Sequence, residues 1–286
     1  TEQESGLLLP RAQVEFDPFT NHKLSLAIGR QAKLPAAFLL LADSGGDLPF
    51  ILSDQVSLKH QMTLGNKSTI KAEVFGQYHS QVPVPSVKGQ GFHGLNFEEA
   101  FLQFEGPLEA EGEGRNYGLE LAWQQFLRKD LYFFANGTLF KSEFLNEENQ
   151  WQDSRYDTRY ILNATVGKEF NWKKKWPKTF GVNLRFHLNG GQRYTPVDLP
   201  SSIIFHTMVL DDANYLALQF PEYWKADLRI YLRTSKTKRS SSLSLDIQNL
   251  TNRKNVGWIY YDPDLRSVER KDQLGLIPIL NWRLEL

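Results

Sequence analysis

Apolar and polar residues alternate along most of this chain, while the three-to-four-residue spacing of an amphipathic helix is hard to find. Between 179 and 189, Phe180, Val182, Leu184, Phe186 and Leu188 fall on one side of an extended backbone, with Thr179, Asn183, Arg185, His187 and Asn189 on the other. Residues 223–233 repeat the pattern, setting Trp224, Ala226, Leu228, Ile230 and Leu232 against Lys225, Asp227, Arg229 and Arg233. Leu280, Trp282, Leu284 and Leu286 oppose Asn281, Arg283 and Glu285 in the same way. Weaker alternation marks 10–17, 22–30, 54–64, 67–79, 116–126, 130–141, 158–169 and 241–249. The pattern predicts about eleven strands and an all-β chain.

The connections carry more information than the strands. They fall at 18–21, 31–53, 65–66, 80–115, 127–129, 142–157, 170–178, 190–222, 234–240 and 250–273, short alternating with long throughout. Successive connections of an antiparallel meander lie at opposite ends of the sheet, so one end carries tight turns and the other large loops, as in outer-membrane barrels. Predicted strands of about 8 to 13 residues suit the roughly 9–11 tilted residues that cross a bilayer. Tyr117, Trp123, Tyr160, Trp224 and Trp282 stand near strand ends, where aromatic girdles belong. Alternation alone also describes a soluble β-sandwich, in which the apolar face is a dry core, and that reading stays open at this point.

Composition removes several classes. The 286 residues carry 33 Lys and Arg against 33 Asp and Glu, so nothing in the net charge calls for a nucleic-acid partner. With no Cys there is no disulfide framework, thiolate metal site or Cys nucleophile. The most apolar stretch, 34–42, is far shorter than the roughly 18–20 residues of a membrane-spanning helix. The first ten residues lack the basic start and long apolar core of a signal peptide, and the chain is expected to be mature or a piece of something longer.

Several segments resemble the TonB-dependent outer-membrane receptors, especially the group that often carries a carboxypeptidase-regulatory-like N-terminal domain. The fullest is SLSLDIQNLTNRKNV (Ser242 to Val256), similar to the penultimate strand and the loop leaving it, followed by YYDPDL (Tyr260 to Leu265) and QLGLIPILNWRLEL (Gln273 to Leu286). NYGLEL at Asn116, GGQRYTP at Gly190, FPEYWKADLRI at Phe220, PRAQVEFDP at Pro10 and LSLAIGRQAKLPA at Leu24 keep the family's order. Leu286 departs from the aromatic with which many such barrels end. The resemblance implies an antiparallel up-and-down transmembrane barrel of twenty-two strands in a Gram-negative outer membrane, enclosing a plug domain and energised through TonB. Residues 1–286 would be its C-terminal portion of about eleven strands, with the plug and TonB-contacting segment absent. The implied activity is uptake of a bulky nutrient such as a ferric siderophore, cobalamin or glycan. Implied partners are outer-membrane lipid, the rest of the barrel and plug, TonB and the nutrient, with no nucleic acid. An open sheet edge in hydrocarbon leaves backbone groups unpaired at several kcal/mol each, so the remaining wall has to be supplied. A soluble carbohydrate-binding or adhesive module and a smaller passive barrel of about twelve strands are the alternatives.

Candidate chemistry is sparse. GQGFHG (Gly89 to Gly94) spells the dinucleotide fingerprint, but it follows VPVPS in a long loop and reads as a flexible tip rather than a strand-to-helix turn. Glu98, Glu99, Glu105, Glu109, Glu111 and Glu113, like Asp211, Asp212, Asp262 and Asp264, could offer oxygen ligands to a hard cation, though the spacing matches no EF-hand. His22, His60, His79, His93, His187 and His206 include no H-x-x-x-H pair, and His187 falls on the lumen face. There is no G-x-S-x-G elbow, and no catalytic, cofactor or metal residues are expected. Basic turns stand at Lys173, Lys174, Lys175 and Lys178 and at Arg233, Lys236, Lys238 and Arg239. Binding residues concentrate on loops held by a rigid scaffold, which makes Phe92, His93, Arg193, Tyr194, His206, Tyr215, Trp258, Tyr260 and Tyr261 the candidate substrate contacts; Tyr260 and Tyr261 could equally continue a strand.

Overall fold

The computed structural model describes residues 6–42, 48–65, 67–96, 106–128, 130–172, 176–236 and 239–286. Alternation of side-chain polarity produces one continuous antiparallel wall. Its strands are β1 (Arg11–Phe16), β2 (His22–Lys33), β3 (Ile51–Leu64), β4 (Ser68–Pro85), β5 (Leu108–Arg128) and β6 (Leu131–Leu145), then β8 (Tyr160–Trp172), β9 (Lys178–Asn189), β12 (Tyr223–Lys236), β13 (Arg239–Gln248) and β16 (Ile277–Glu285). Each pairs with the next in that order, and the short β7 (Trp151–Asp153) adds to the end of β6, giving a twelve-stranded sheet. All eleven expected strands are present. Asn21, Gly65 and Asp130 sit in the short turns with left-handed backbone, the conformation such turns need and these residue types supply.

The register explains why one face is apolar. Val14, Leu26, Leu58, Val74, Leu119 and Leu139 stand opposite one another across six consecutive strands. Phe170, Phe180, Leu232, Leu243 and Trp282 do the same across the last five. These rows are uncovered: Val14 is 65% exposed, Leu139 61% and Trp282 71%. Among the described residues the buried hydrophobic side chains are Leu39, Val82, Leu108, Phe144, Leu216, Tyr231 and Tyr261, most of them in or next to the long connections. A sandwich would seal the apolar rows between its sheets. This wall leaves them facing out, so the fold is a section of an up-and-down β-barrel and the sandwich reading is set aside.

Two features differ from the pattern-based expectation. β4 and β5 run on to Pro85 and back to Leu108, through residues the alternation assigned to a loop. Beyond an apolar band, backbone pairing continues without any alternation of side chains, and left-handed Gln81 marks a bulge where the register shifts between His79 and Val82. The long connections also hold structure of their own: α1 (Ala37–Ala42), the paired β10 (Arg193–Tyr194) and β11 (Leu218–Gln219), α2 (Leu199–Phe205), and the hairpin of β14 (Val256–Asp262) and β15 (Ser267–Asp272). As expected of a part of a barrel, the wall stays open: β1 pairs only with β2 and β16 only with β13 among the described residues, which sets aside the alternative of a closed barrel of about twelve strands. No helix among the described residues is long and apolar enough to cross a membrane.

Candidate functional site

The concave face of the wall is polar, and at the end that carries the long connections it forms a recess of about 570 Å³. Gln77 and His79 of β4, Asn116 of β5, Phe140 of β6 and His187 and Asn189 of β9 line it, joined by Tyr156 from the connection after β7. The polar groups hold one another in place. Asn116 Nδ2 donates to Gln77 Oε1 at 3.2 Å and lies 2.9 Å from His79 Nε2, while the His187 ring nitrogens lie 2.6 and 2.9 Å from the amide oxygens of Asn163 and Asn189. No Lys, Arg or Asp lines the recess among the described residues, and the carboxylate of Glu143 is held by Arg115 Nε at 2.7 Å. The surface presented is one of amides, hydroxyls, imidazoles and aromatic rings around one ion-paired carboxylate.

Three long connections meet above this recess. His93 is 3% exposed, its ring 4.8 Å from that of Phe144 of β6, and Phe144 in turn meets Tyr215 edge-on at 5.8 Å. The Leu95 N–H donates to His93 Nδ1 at 3.3 Å, which places the proton of the neutral ring on Nε2. Burial pushes the imidazole pKa down to about 3, outweighing the opposing effect of the Glu113 backbone. Burial likewise holds the Tyr215 phenol well above its usual value. Asn96, 2% exposed, accepts from the Arg155 N–H on Oδ1 and from Arg155 Nε on its carbonyl, both at 3.0 Å. Gln152 Nε2 donates to the Tyr215 carbonyl at 2.6 Å. Next to this hub Asp153 receives Lys141 and Arg193. Burial alone would raise the Asp153 pKa, but these cations and Arg159 more than offset it, and the carboxyl sits below its usual value.

The structure distributes the nine suspected contact residues over four places. Phe92, His93, Arg193 and Tyr215 belong to the loop hub, where His93 and Tyr215 serve as internal packing and Arg193 as the partner of Asp153. Tyr194 stacks on Phe220 with ring centroids 4.1 Å apart. His206 caps the C-terminus of α2 with left-handed backbone and is exposed. Trp258, Tyr260 and Tyr261 all lie in β14, so the strand reading of the two tyrosines holds; Trp258 and Tyr260 face outward while Tyr261 is buried. Sequence reasoning passed over Asn96, Gln152, Asp153, Arg155 and Asp157, the last of them fully buried and accepting the Ser142 N–H at 2.9 Å. For the last four the only advance signal is the density of polar and charged residues in the QDSRYD stretch, Gln152 to Asp157, and Asn96 has none.

The remaining candidates take structural roles. The G-x-G-x-x-G segment opens no helix and turns inward to the wall, the Gly94 N–H donating to the Pro83 carbonyl at 2.9 Å, so it is neither a dinucleotide loop nor a free tip. Glu109, Glu111 and Glu113 lie in β5 rather than in a loop, whereas Glu98, Glu99 and Glu105 fall outside the described residues. Asp262 caps a turn by accepting the Asp264 and Leu265 N–H groups, and Asp211 accepts from Asn214 Nδ2 at 2.7 Å. Lys173, Lys174, Lys175 and Lys238 lie outside the described residues, while Lys236 sits 4.9 Å over the Trp176 ring. No group of three or more His, Asp or Glu among the described residues could hold a metal ion.

An open antiparallel barrel wall with an apolar exterior, a polar interior and structured loops gathered at one end defines the class of architecture. No family model matches the chain, and neither does any curated protein. Among solved structures it is similar to the ferripyoverdine receptor of the outer membrane of Pseudomonas aeruginosa, with 13% identity and a TM-score of 0.65 over 99% of this chain and 33% of that one. It is also similar to the ferric yersiniabactin uptake receptor FyuA from Yersinia pestis, at 15% identity and a TM-score of 0.62 over 97% of this chain and 37% of that one. The ferric-catecholate import receptor Fiu from K12 E. coli aligns at 12% identity and a TM-score of 0.63, covering 96% and 34% respectively. Identity this low shows a shared fold, and the chain spans about a third of the length of these structures.

Proposed function

We propose that this chain is the C-terminal part of the barrel of a TonB-dependent outer-membrane transporter and forms barrel wall, lumen lining and outer loops. Plug and TonB-contacting segment would lie on polypeptide outside residues 1–286. The observation that carries the reading is the polarity of the wall, with Leu, Val and Trp rows uncovered on the convex side and hydrogen-bonded amides and imidazoles on the concave side. A lipid exterior and a wet lumen account for both faces at once. Receptors for ferric compounds share the fold, the segments quoted above resemble TonB-dependent receptors, and both support import rather than catalysis.

The recess bears on the nutrient. A polyanionic ferric complex entering it would meet Glu143 and no Lys or Arg, whereas amides, hydroxyls and the Phe140 and Tyr156 rings suit an uncharged, hydroxyl- or amide-rich ligand. Among the bulky nutrients that such receptors import, the lining favours a glycan or a corrinoid. The test is growth of a strain deleted for this receptor, beside a strain lacking TonB, on single glycans, a corrinoid or ferric siderophores as the limiting nutrient. Both strains should fail on the same uncharged nutrient. Unimpaired TonB-independent uptake of that nutrient would point to a passive pore, and failure on a ferric siderophore alone would overturn the ligand assignment.

A further inference from the structure

Outside the lumen, at the end of the wall that carries the short turns, β2 and β3 bring two imidazoles together. His22 Nδ1 and His60 Nε2 are 3.0 Å apart, the rings stack with centroids 5.2 Å apart and planes inclined by 18°, and the Phe19 ring closes one side at 6.0 Å. The register sets Met62 directly opposite His22. The Thr63 N–H donates to the Asn21 carbonyl at 2.8 Å, so the adjoining 21–63 pair is the hydrogen-bonded one. His22 and Met62 are therefore a non-hydrogen-bonded pair, the arrangement that brings Cβ atoms within about 4.5–5.5 Å. His60, two residues before Met62, projects from the same face. All three are half-buried, and the neighbouring Lys23 is turned to the opposite face by its 3.0 Å pair with Glu15.

Two imidazole nitrogens facing each other at hydrogen-bond distance hold a single proton between them, and a cation can take that proton's place. Metal–imidazole bonds of about 2.0–2.1 Å at a tetrahedral angle separate the two nitrogens by about 3.3–3.4 Å, a few tenths of an ångström beyond the spacing found here. A thioether as third donor disfavours Ca²⁺ and Mg²⁺, which demand oxygen, and selects the softer end of the d-block. We propose that His22, His60 and Met62 form a binding site for a borderline-to-soft d-block cation, copper above all, on the outer rim of the wall. The ion would clip β2 to β3 one strand in from the β1 edge.

The proposal is tested on the complete receptor in detergent micelles, titrated with Cu²⁺, with Cu⁺ under reducing conditions, and with Zn²⁺ and Ca²⁺, with circular dichroism to confirm that each variant is folded. Wild type should take up one equivalent of copper in competition with a chelator, and Ca²⁺ should not compete. His22→Gln and His60→Gln should each weaken copper binding by about tenfold or more. Met62→Leu should weaken Cu⁺ by a similar factor and leave Zn²⁺ within about twofold, because the thioether matters chiefly to the softer ion. Absence of copper uptake by the wild type, equal copper affinity in His60→Gln, or displacement by Ca²⁺ would each overturn the site.

Discussion

At the scale of single residues, the wall is locked by tyrosines lying over glycines. Tyr231 of β12 faces Gly181 of β9, and Tyr132 of β6 faces Gly167 of β8; a Cβ at Gly181 would sit 2.1 Å from the Tyr231 ring, and one at Gly167 2.3 Å from that of Tyr132. The vacant side-chain position lets each ring lie flat on the neighbouring backbone, and each hydroxyl then reaches one strand further, Tyr231 to Glu169 at 2.6 Å and Tyr132 to Asn183 at 2.7 Å. Gly181→Val should expel the Tyr231 ring and cost about 1–3 kcal/mol, the usual penalty of overpacking, read as a lowered urea midpoint in detergent. His93 carries a different expectation. Above pH about 6.5 its ring is neutral whether the loop hub is closed or open, so it contributes no pH dependence there. As pH falls below that value an opened loop binds a proton that the closed one refuses until pH is about 3, so the closed form loses up to about 1.4 kcal/mol per pH unit across the interval. Hydrogen exchange of the amides of 86–96 should therefore show weaker protection at pH 5 than at pH 7, and His93→Gln should flatten the difference.

At the scale of elements, the loop hub hangs on Phe144. It is 2% exposed, lies between His93 and Tyr215, and belongs to the rigid β6 while both partners come from long connections. Phe144→Ala should cost the closed hub about 3–5 kcal/mol in lost contacts and cavity. That is enough to make the 86–96 and 199–219 segments protease-sensitive while the wall keeps its circular dichroism; equal protease resistance would show that the ring is dispensable. This division also marks what the sequence could reveal. The eleven wall strands were legible because two chemically different environments imprint a period of two on every one of them, as in Phe180 to Leu188. α1, α2 and the β14–β15 hairpin left no such imprint, because short elements propped against a wall need only one or two buried side chains, such as Leu39 or Tyr261. The hub was illegible for a related reason: Asn96 meets Arg155 across 59 positions of sequence, and no local pattern encodes that meeting. The aromatic and His candidates stand in long connections, where binding residues concentrate, whereas the structure buries His93 and Tyr261 among them.

At the scale of the whole molecule, the two faces of the wall should respond oppositely to the same substitution. Leu184 points outward, aligned with Val166 on one side and Leu228 on the other, while the adjacent Arg185 points inward with Thr165 and Asp227 beside it. If the convex face meets acyl chains, a guanidinium at 184 near mid-membrane costs about 2–4 kcal/mol, because neither water nor a counter-charge reaches it. The same group on the concave face stays hydrated and costs little. Leu184→Arg should therefore abolish or sharply lower membrane insertion of the barrel that contains this wall, whereas Thr165→Arg should insert at near-normal levels, both scored by heat-modifiable mobility and surface labelling. Trp282 sharpens the comparison, since its indole N–H is already satisfied by Ser241 Oγ at 3.1 Å and its ring lies uncovered at a strand end, as a residue at a lipid–water boundary would. Trp282→Arg should accordingly cost less than Leu184→Arg, since depth in the bilayer sets the penalty. A dry protein core behind the apolar rows would instead leave the wild type soluble without detergent, with Leu184→Arg and Trp282→Arg unfolding it and Thr165→Arg leaving it folded.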